Sequence, residues 1–329
     1  MTTWSEIEKI QPLASKMITN SIKKGRISHA YLIQGERGTG KEAIATLIAK
    51  DIFCEHRTGI EPCQTCRMCK RIDSRNHPDV HWVEPEGQSI KIEQIKNLQK
   101  EFTYSSFESN KKVYIIQGAD TLTLNAANRI LKFLEEPGRR TTAILLTENS
   151  QSIIPTIRSR CQLIDLKPLH PQDFQKQLAE LGMSQKDAVL MSALTNNIEE
   201  AFEWSRDEWF AEGRKLMIQL IEVLINPSED AYLFIHNHWL KHFKERAQLE
   251  RGIDLLLLAF KDILYAHLGK EESMIVFDKN DDQLQQLILS YSQEDLIQIL
   301  HNLLEAKRHL KQYVNPTLVM EQLTLQIQR

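Results

Sequence analysis

Apolar positions along the chain follow two regimes. Up to about residue 167, short continuous apolar runs alternate with stretches of helical period; beyond it only the helical period remains. Ala30-Tyr31-Leu32-Ile33, Val113-Tyr114-Ile115-Ile116 and Ala143-Ile144-Leu145-Leu146-Thr147 read as strands buried on both faces, the pattern of a parallel sheet. His77-Pro78-Asp79-Val80-His81-Trp82-Val83 adds a strand after a turn, and Gln162-Leu163-Ile164-Asp165-Leu166 a last one. Between them, Ile7, Ile10, Leu13, Met17 and Ile18 predict a helix over residues 5–25. Ile44, Leu47, Ile48 and Ile52 predict a second, and Ile92, Ile95, Leu98 and Phe102 a third. A fourth runs from Asn125 to Glu136 with Ile130, Leu131 and Leu134 inward, stopped by Pro137-Gly138. Strands alternating with helices make a parallel α/β domain.

Pro168 and Pro171 mark a boundary. Residues 171–207 predict small helices around Phe174, Leu178, Leu181, Val189 and Leu194. Longer amphipathic helices follow: Phe210–Ile225, Ala231–Phe243, Leu249–Leu268, Leu284–Tyr291 and Asp295–Tyr313. Asn315-Pro316 breaks the pattern before a final helix, Leu318–Ile327. An all-α region with no catalytic constellation is expected to be a packing or assembly module. The expected domains are 1–167, 168–207 and 208–329.

Composition narrows the function classes. The 329 residues are 42% hydrophobic and 26% charged, as in an ordinary globular protein with a sizeable core. A net charge of −3 argues against a broad cationic nucleic-acid surface. The longest apolar run, Leu255 to Phe260, is far short of the roughly 20 residues that cross a bilayer. Met1 to Glu6 carries neither the basic nor the apolar region of a leader. A cytoplasmic location is therefore expected, and the cysteines are not read as disulfides.

Between the first strand and the second helix lies Gly35-Glu36-Arg37-Gly38-Thr39-Gly40-Lys41-Glu42. Strand, Gly-rich turn and helix are the context of a phosphate-binding loop. Its glycines (Gly35, Gly38, Gly40) let backbone N–H groups converge on a phosphate, and Lys41 adds a full charge. The position after the lysine should be Ser or Thr, to hold Mg²⁺; here it is Glu42. Two like charges about 4 Å apart repel by ~4 kcal/mol at an effective dielectric near 20, although Glu42 could instead ligate the metal.

Cys54, Cys63, Cys66 and Cys69 are spaced C-x₈-C-x₂-C-x₂-C. Four thiolates match the tetrahedral preference of Zn²⁺, and a C-x₂-C turn presents two sulfurs to one ion. Four protein ligands leave no open position, so such a zinc is structural. An iron–sulfur cluster and thiol redox chemistry are the competing readings. His77 and His81 are read as a loop and a strand histidine. Cys161 lies in a different stretch.

The strand Val113–Ile116 ends in Gln117-Gly118-Ala119-Asp120. In an active P-loop ATPase an acidic pair there supports Mg²⁺ and polarises water; neither Gln117 nor Gly118 can. Asp120 is expected to cap the next helix. Thr147 ends a strand on the side where ligands sit in open α/β sheets.

Ser28-His29-Ala30-Tyr31-Leu32, the loop at 35–42, the cysteines at 54–69, Asn128-Arg129-Ile130-Leu131-Lys132-Phe133-Leu134-Glu135-Glu136-Pro137 and Ser159-Arg160-Cys161 together resemble the clamp-loader branch of the AAA+ ATPases. The resemblance is dense over residues 28–161 and covers the helical remainder in layout only. It implies a AAA+ α/β domain with an inserted zinc module, a small helical lid and an all-α C-terminal collar. It also implies a heteropentamer with motor subunits of the tau/gamma type and a delta subunit, which opens a sliding clamp and loads it on primer-template DNA for the replicative polymerase. Motor subunits of the family keep Lys-Thr or Lys-Ser, an Asp-Glu pair and a lid arginine. Here these read Lys41-Glu42 and Gln117-Gly118, with no matching arginine near Asn197 to Ala201. Thr147 stands at the first sensor position. The resemblance thus implies a subunit without catalytic activity of its own and with a degenerate nucleotide site. Its Arg160 would act in trans as an arginine finger on a neighbour's ATP, with Arg158 ranked second. The alternatives are an ATP-hydrolysing subunit with Glu42 on the metal and Asp120 polarising water, and an independent zinc-dependent nucleic-acid binder.

Overall fold

The computed structural model describes residues 3–103, 111–135, 141–225, 230–269, 276, 291–312 and 314–327. The expected Pro137-Gly138 stop and, except for Tyr291, the helix Leu284–Tyr291 lie outside the described residues. The chain divides into two compact units, Met1–Leu169 and His170–Arg329.

In the first unit, β1 (Ala30–Gln34), β2 (Val80–Val83), β3 (Lys112–Ile116), β4 (Thr141–Thr147) and β5 (Gln162–Asp165) form one sheet in the order β2-β3-β4-β1-β5. Every pairing is parallel, with Tyr31 level with Ile144 on one side and Gln162 on the other. Strand alternation divides the apolar runs between two cores. Tyr31, Ile33, Val113, Ile115, Ile144 and Leu146 face α1 (Trp4–Ile10), α2 (Pro12–Lys23) and α3 (Lys41–Phe53). Ala30, Leu32, Tyr114, Ile116, Ala143 and Leu145 face α5 (Ile92–Thr103) and α6 (Leu124–Glu135). Both faces are covered, which is why the runs are continuously apolar. This is the expected parallel α/β architecture, with the phosphate-loop sequence joining β1 to α3.

The single helix predicted over 5–25 is two helices. Gln11 adopts φ −136° and ψ 64°, because a residue that precedes proline is pushed out of the helical region. The break serves the fold: the Gln11 side-chain amide donates to the carbonyl of Lys167 at 2.6 Å and to that of Thr39 at 3.3 Å. One side chain so ties the phosphate loop to the chain leaving β5.

Short α4 (Arg67–Asp73) carries the last of the clustered cysteines and packs on α3. α7 (Pro155–Arg158) leads into β5. The second unit is helical throughout its described residues: α8 (Pro171–Glu180), α9 (Gln185–Leu194), α10 (Ile198–Arg206), α11 (Glu208–Ile225), α12 (Ala231–Phe234), α13 (Leu240–His242), α14 (Arg246–His267), α15 (Gln293–Lys311) and α16 (Pro316–Ile327). The helix predicted over Ala231–Phe243 is interrupted by a wide π-turn, Ile235–Trp239, with Ile235 and Trp239 both buried. α9 packs on α14, so helices on either side of the expected boundary at 207/208 share contacts.

Trp4 and Asp51 join the amino-terminal helix to α3. The Trp4 indole N–H donates to Asp51 Oδ2 at 2.7 Å, and both residues are buried. Glu61 accepts from the backbone N–H groups of Trp4 and Ser5 at 3.0 and 2.9 Å. Burial pushes the Asp51 carboxyl up to about 7, against the indole hydrogen bond and the nearby Arg57 guanidinium. A carboxyl held above its unfolded value binds more protons folded than unfolded, so its contribution to stability is full below the unfolded value and declines as pH rises toward 7. The expected outcome is that wild-type stability falls relative to Asp51→Asn between pH 5 and pH 7, by at most about 1.4 kcal/mol per pH unit. Denaturant unfolding of both proteins across that range measures it; parallel pH profiles would refute the assignment.

Candidate functional site

The phosphate loop leaves the C-terminal end of β1, which lies between β4 and β5 in the sheet. Gly38 and Gly40 take φ 82° and 90°, a region that side-chain-bearing residues avoid. The Gly35 N–H donates to the Thr147 carbonyl at 3.1 Å, and the Thr39 hydroxyl to the Glu36 carbonyl at 2.8 Å. Lys41 folds back onto its own loop, donating Nζ to the carbonyls of Gly35 at 2.5 Å and Glu36 at 2.7 Å. Burial holds its ammonium below the usual lysine range, opposed by the charges of Glu148, Asp120, Glu42 and Glu36.

Both oxygens of Glu42 carry donors. The Gln117 amide Nε2 donates to Oε1 at 2.8 Å, and the Arg75 guanidinium donates Nη2 to Oε2 at 2.8 Å. The same guanidinium pairs through Nη1 with Glu84 and lies 4.1 Å over the Trp82 ring. Gly118, next to Gln117, takes φ 65°, and a Cβ there would stand 3.2 Å from the Pro85 ring. A glutamate at that point would be strained in backbone and crowded in space.

Asp120 does not cap the following helix. It sits in a single 3₁₀ turn, Ala119–Thr121, and accepts from the Thr147 hydroxyl at 2.7 Å. Thr123 takes the place at the start of α6, its hydroxyl accepting from the Ala126 N–H at 3.4 Å. The Thr147 hydroxyl also accepts from the Asn149 N–H at 3.1 Å. Reading Glu42 as a metal ligand and Asp120 as the water-polarising acid thus meets two carboxylates already engaged with protein donors.

The Sγ atoms of Cys54, Cys63, Cys66 and Cys69 lie within 4.8 Å of one another, the last two buried. Gln64 at φ 61° makes the tight turn between Cys63 and Cys66. Backbone N–H groups orient the sulfurs: Cys63 donates to Cys54 Sγ at 3.3 Å, Cys66 to Cys63 Sγ at 3.3 Å and Cys69 to Cys66 Sγ at 3.4 Å. N–H donation from Cys66 and Thr65 draws the Cys63 thiol down to about 6, while burial pushes Cys54 and Cys69 up. Four converging sulfurs, one already inclined to thiolate, suit a tetrahedral metal. Cys161 stands apart against the other core, where burial pushes its thiol up to about 12.

The sulfur cluster is fastened to α3 by Lys50, a buried ammonium that pairs with Asp73 at 2.6 Å and with the Gln64 side chain. Nothing in the sequence marked Lys50 or Arg75, because their partners are distant in the chain and of ordinary residue types. His77 is buried against Phe53, its Nδ1 accepting from the Asp79 N–H at 3.1 Å, and His81 lies in β2.

Arg160 lies between α7 and β5. Its guanidinium pairs with Glu135 at 2.8 Å and donates to the Thr156 carbonyl at 2.9 Å. Arg158 is exposed and donates to Gln151 at 3.1 Å.

Residues 10–170 match the family described as DNA polymerase III, delta subunit, and residues 218–329 match its C-terminal part. The chain is 46% identical to DNA polymerase III subunit delta′ of Bacillus subtilis (strain 168), over 99% of this chain and 98% of that one. It is 29% identical to subunit delta′ of Haemophilus influenzae over 64% of this chain and 56% of that one. Subunit tau of Bacillus subtilis is 35% identical over 158 residues, 48% of this chain and 28% of tau. A likeness to one delta′ subunit that runs from end to end of both proteins, with a likeness to tau over about half of this chain, shows that the chain belongs to the family of DNA polymerase III delta′ subunits.

Proposed function

We propose that this chain is a clamp-loader subunit that hydrolyses no ATP itself and supplies Arg160 to the ATP site of a neighbouring motor subunit. The observation that carries the first half is the end of β3. Gln117 spends its amide on Glu42, and Gly118 occupies a backbone conformation unsuited to an acid. No carboxylate stands at the end of β3 where an ATPase needs one. ATP binding would then be weak or absent. Support for the second half is the rim position of Arg160, where Glu135 and Thr156 hold the guanidinium at a side chain about one-third exposed. Such a group can stabilise charge developing on a transferring phosphoryl.

The partners in this reading are tau/gamma-type motor subunits and a delta subunit in a heteropentamer that loads the sliding clamp on primer-template DNA. It would work in the cytoplasm, at the replisome on the nucleoid. Residues 168–207 would form the lid and 208–329 the collar through which subunits assemble. The collar assignment draws on side chains left in solvent: α15 exposes Ile297 and Leu304, and α16 exposes Leu318 and Leu325, each pair one heptad apart. Cys54, Cys63, Cys66 and Cys69 would hold a structural Zn²⁺, which organises the module between α3 and β2 and takes no part in chemistry.

The zinc reading is checked by metal analysis. Purified chain should carry about one Zn²⁺ per molecule, Cys66→Ala should lose it, and Cys161→Ala should keep it. Metal loss should unfold the module locally, since binding and local folding are coupled, while the sheet persists. A metal content near zero, or one unchanged in Cys66→Ala, would refute it.

The catalytic reading is checked by ATP turnover. The isolated chain should show none above background. In the reconstituted loader with clamp and primed DNA, Arg160→Ala should assemble normally by gel filtration and turn over ATP more slowly. Removing an arginine finger can cost one site ~10³–10⁵ in rate, so a ring with other intact sites should lose only part of its total rate. Arg160→Lys should not restore it fully, because an ammonium lacks the planar fork. Turnover by the wild-type chain that Lys41→Ala abolishes would overturn the first half of the proposal. A wild-type rate in a fully assembled Arg160→Ala complex would overturn the second.

A further inference from the structure

Mg²⁺ demands oxygen ligands in near-octahedral array and dehydrates reluctantly. At a phosphate loop it takes a loop hydroxyl, an acid at the end of the neighbouring strand and the phosphates themselves. The residues present here do not fit it. Position 42 is a glutamate, and each of its oxygens already accepts a hydrogen bond, Oε1 from Gln117 and Oε2 from Arg75, both at 2.8 Å. The second of these donors is a full positive charge.

Arg75 is not a stray surface side chain at this point. Its backbone takes φ 54° directly after α4, and its N–H donates to the Ile72 carbonyl at 3.0 Å. The guanidinium is held on three sides, by Glu42, by Glu84 and by the face of Trp82. α4 begins at the cysteine cluster and is fastened to α3 by the Lys50–Asp73 pair. The module that the cysteines organise therefore delivers one arginine to the first turn of the phosphate-loop helix, where Glu42 lies.

We propose that Arg75 is a built-in cation that takes the place of Mg²⁺ beside the phosphate loop, neutralising Glu42 and barring divalent ions from it. The inference deepens the reading of the chain as a subunit without hydrolysis of its own and rests on that reading for its biological sense. The ion pair is half exposed and adds little stability; its effect is on which cation Glu42 can hold. With Arg75 gone, Glu42 keeps the neutral Gln117 amide on Oε1, and its Oε2 is open to a divalent ion.

The probe is Mn²⁺, titrated into the full zinc-loaded chain with and without ADP and followed by the loss of its free-ion electron paramagnetic resonance signal. Wild type, Arg75→Gln and the double variant Arg75→Gln/Glu42→Gln are compared, each with zinc content and circular dichroism as controls for folding. Arg75→Gln should bind Mn²⁺ at least tenfold more tightly than wild type, and the double variant should return to the wild-type level. Equal Mn²⁺ binding by wild type and Arg75→Gln would overturn the proposal, and so would a gain that survives in the double variant. These results are separable from the fate of the parent reading. ATP turnover by the isolated wild-type chain sinks the non-hydrolytic reading, whereas unchanged Mn²⁺ binding in a chain without turnover sinks the role of Arg75 alone.

Discussion

A single buried ammonium sets the position of most of what is chemically distinctive in this protein. Lys50 is 1% exposed in the last turn of α3, and a lysine so placed must find partners or lose its charge. It finds Gln64 and Asp73, one at each end of the segment that carries Cys66 and Cys69. Asp73 is the countercharge of that ammonium, and its removal would leave the buried charge with a neutral partner alone. The cysteine module is thus fixed to the helix that begins at the phosphate loop. Arg75, at the far end of the module, reaches Glu42 in the first turn of that same helix. Module and loop are two ends of one assembly, tied at Lys50 and again at Glu42.

The parallel sheet was legible in the sequence because strands covered on both faces need unbroken apolar runs, and those runs are short and flanked by turn residues. The phosphate loop was legible because its glycines and lysine are consecutive. The cysteine cluster was legible because metal-type spacing is local. What stayed hidden depends on side chains meeting across the fold. Gln11 looks like an ordinary helical position until Pro12 forces the preceding residue out of helical geometry, and its amide then reaches Lys167. Asp120 has the right type and spacing for a helix cap, yet the hydroxyl of Thr147, brought beside it by the β3–β4 pairing, takes it instead. Arg75 stands 33 residues from Glu42 with no motif around it.

Glu42 and Gln117 make physical sense only when they are taken together. A lone Glu for Ser or Thr at position 42 would set a carboxylate against phosphate and disfavour the loop electrostatically. A lone Gln for Asp at position 117 would leave an amide with no charge to serve. Together they satisfy one another, since the amide of Gln117 donates to the carboxylate of Glu42, and Arg75 supplies the countercharge. Glu42, Gln117 and Arg75 form a set because each removes the polar cost that another creates.

Retention of the loop follows from the same logic. Gly35 and Glu36 present carbonyls inward at the start of a helix, and carbonyls in a half-buried turn need donors. Lys41 provides them, with its ammonium on both oxygens. The Gly35 N–H holds the end of β4 through Thr147, and Gln11 holds Thr39 to the chain beyond β5. The loop therefore joins three strand ends into one surface whether or not a phosphate ever sits in it. Lys41 therefore has a structural use in the turn itself, independent of any phosphate.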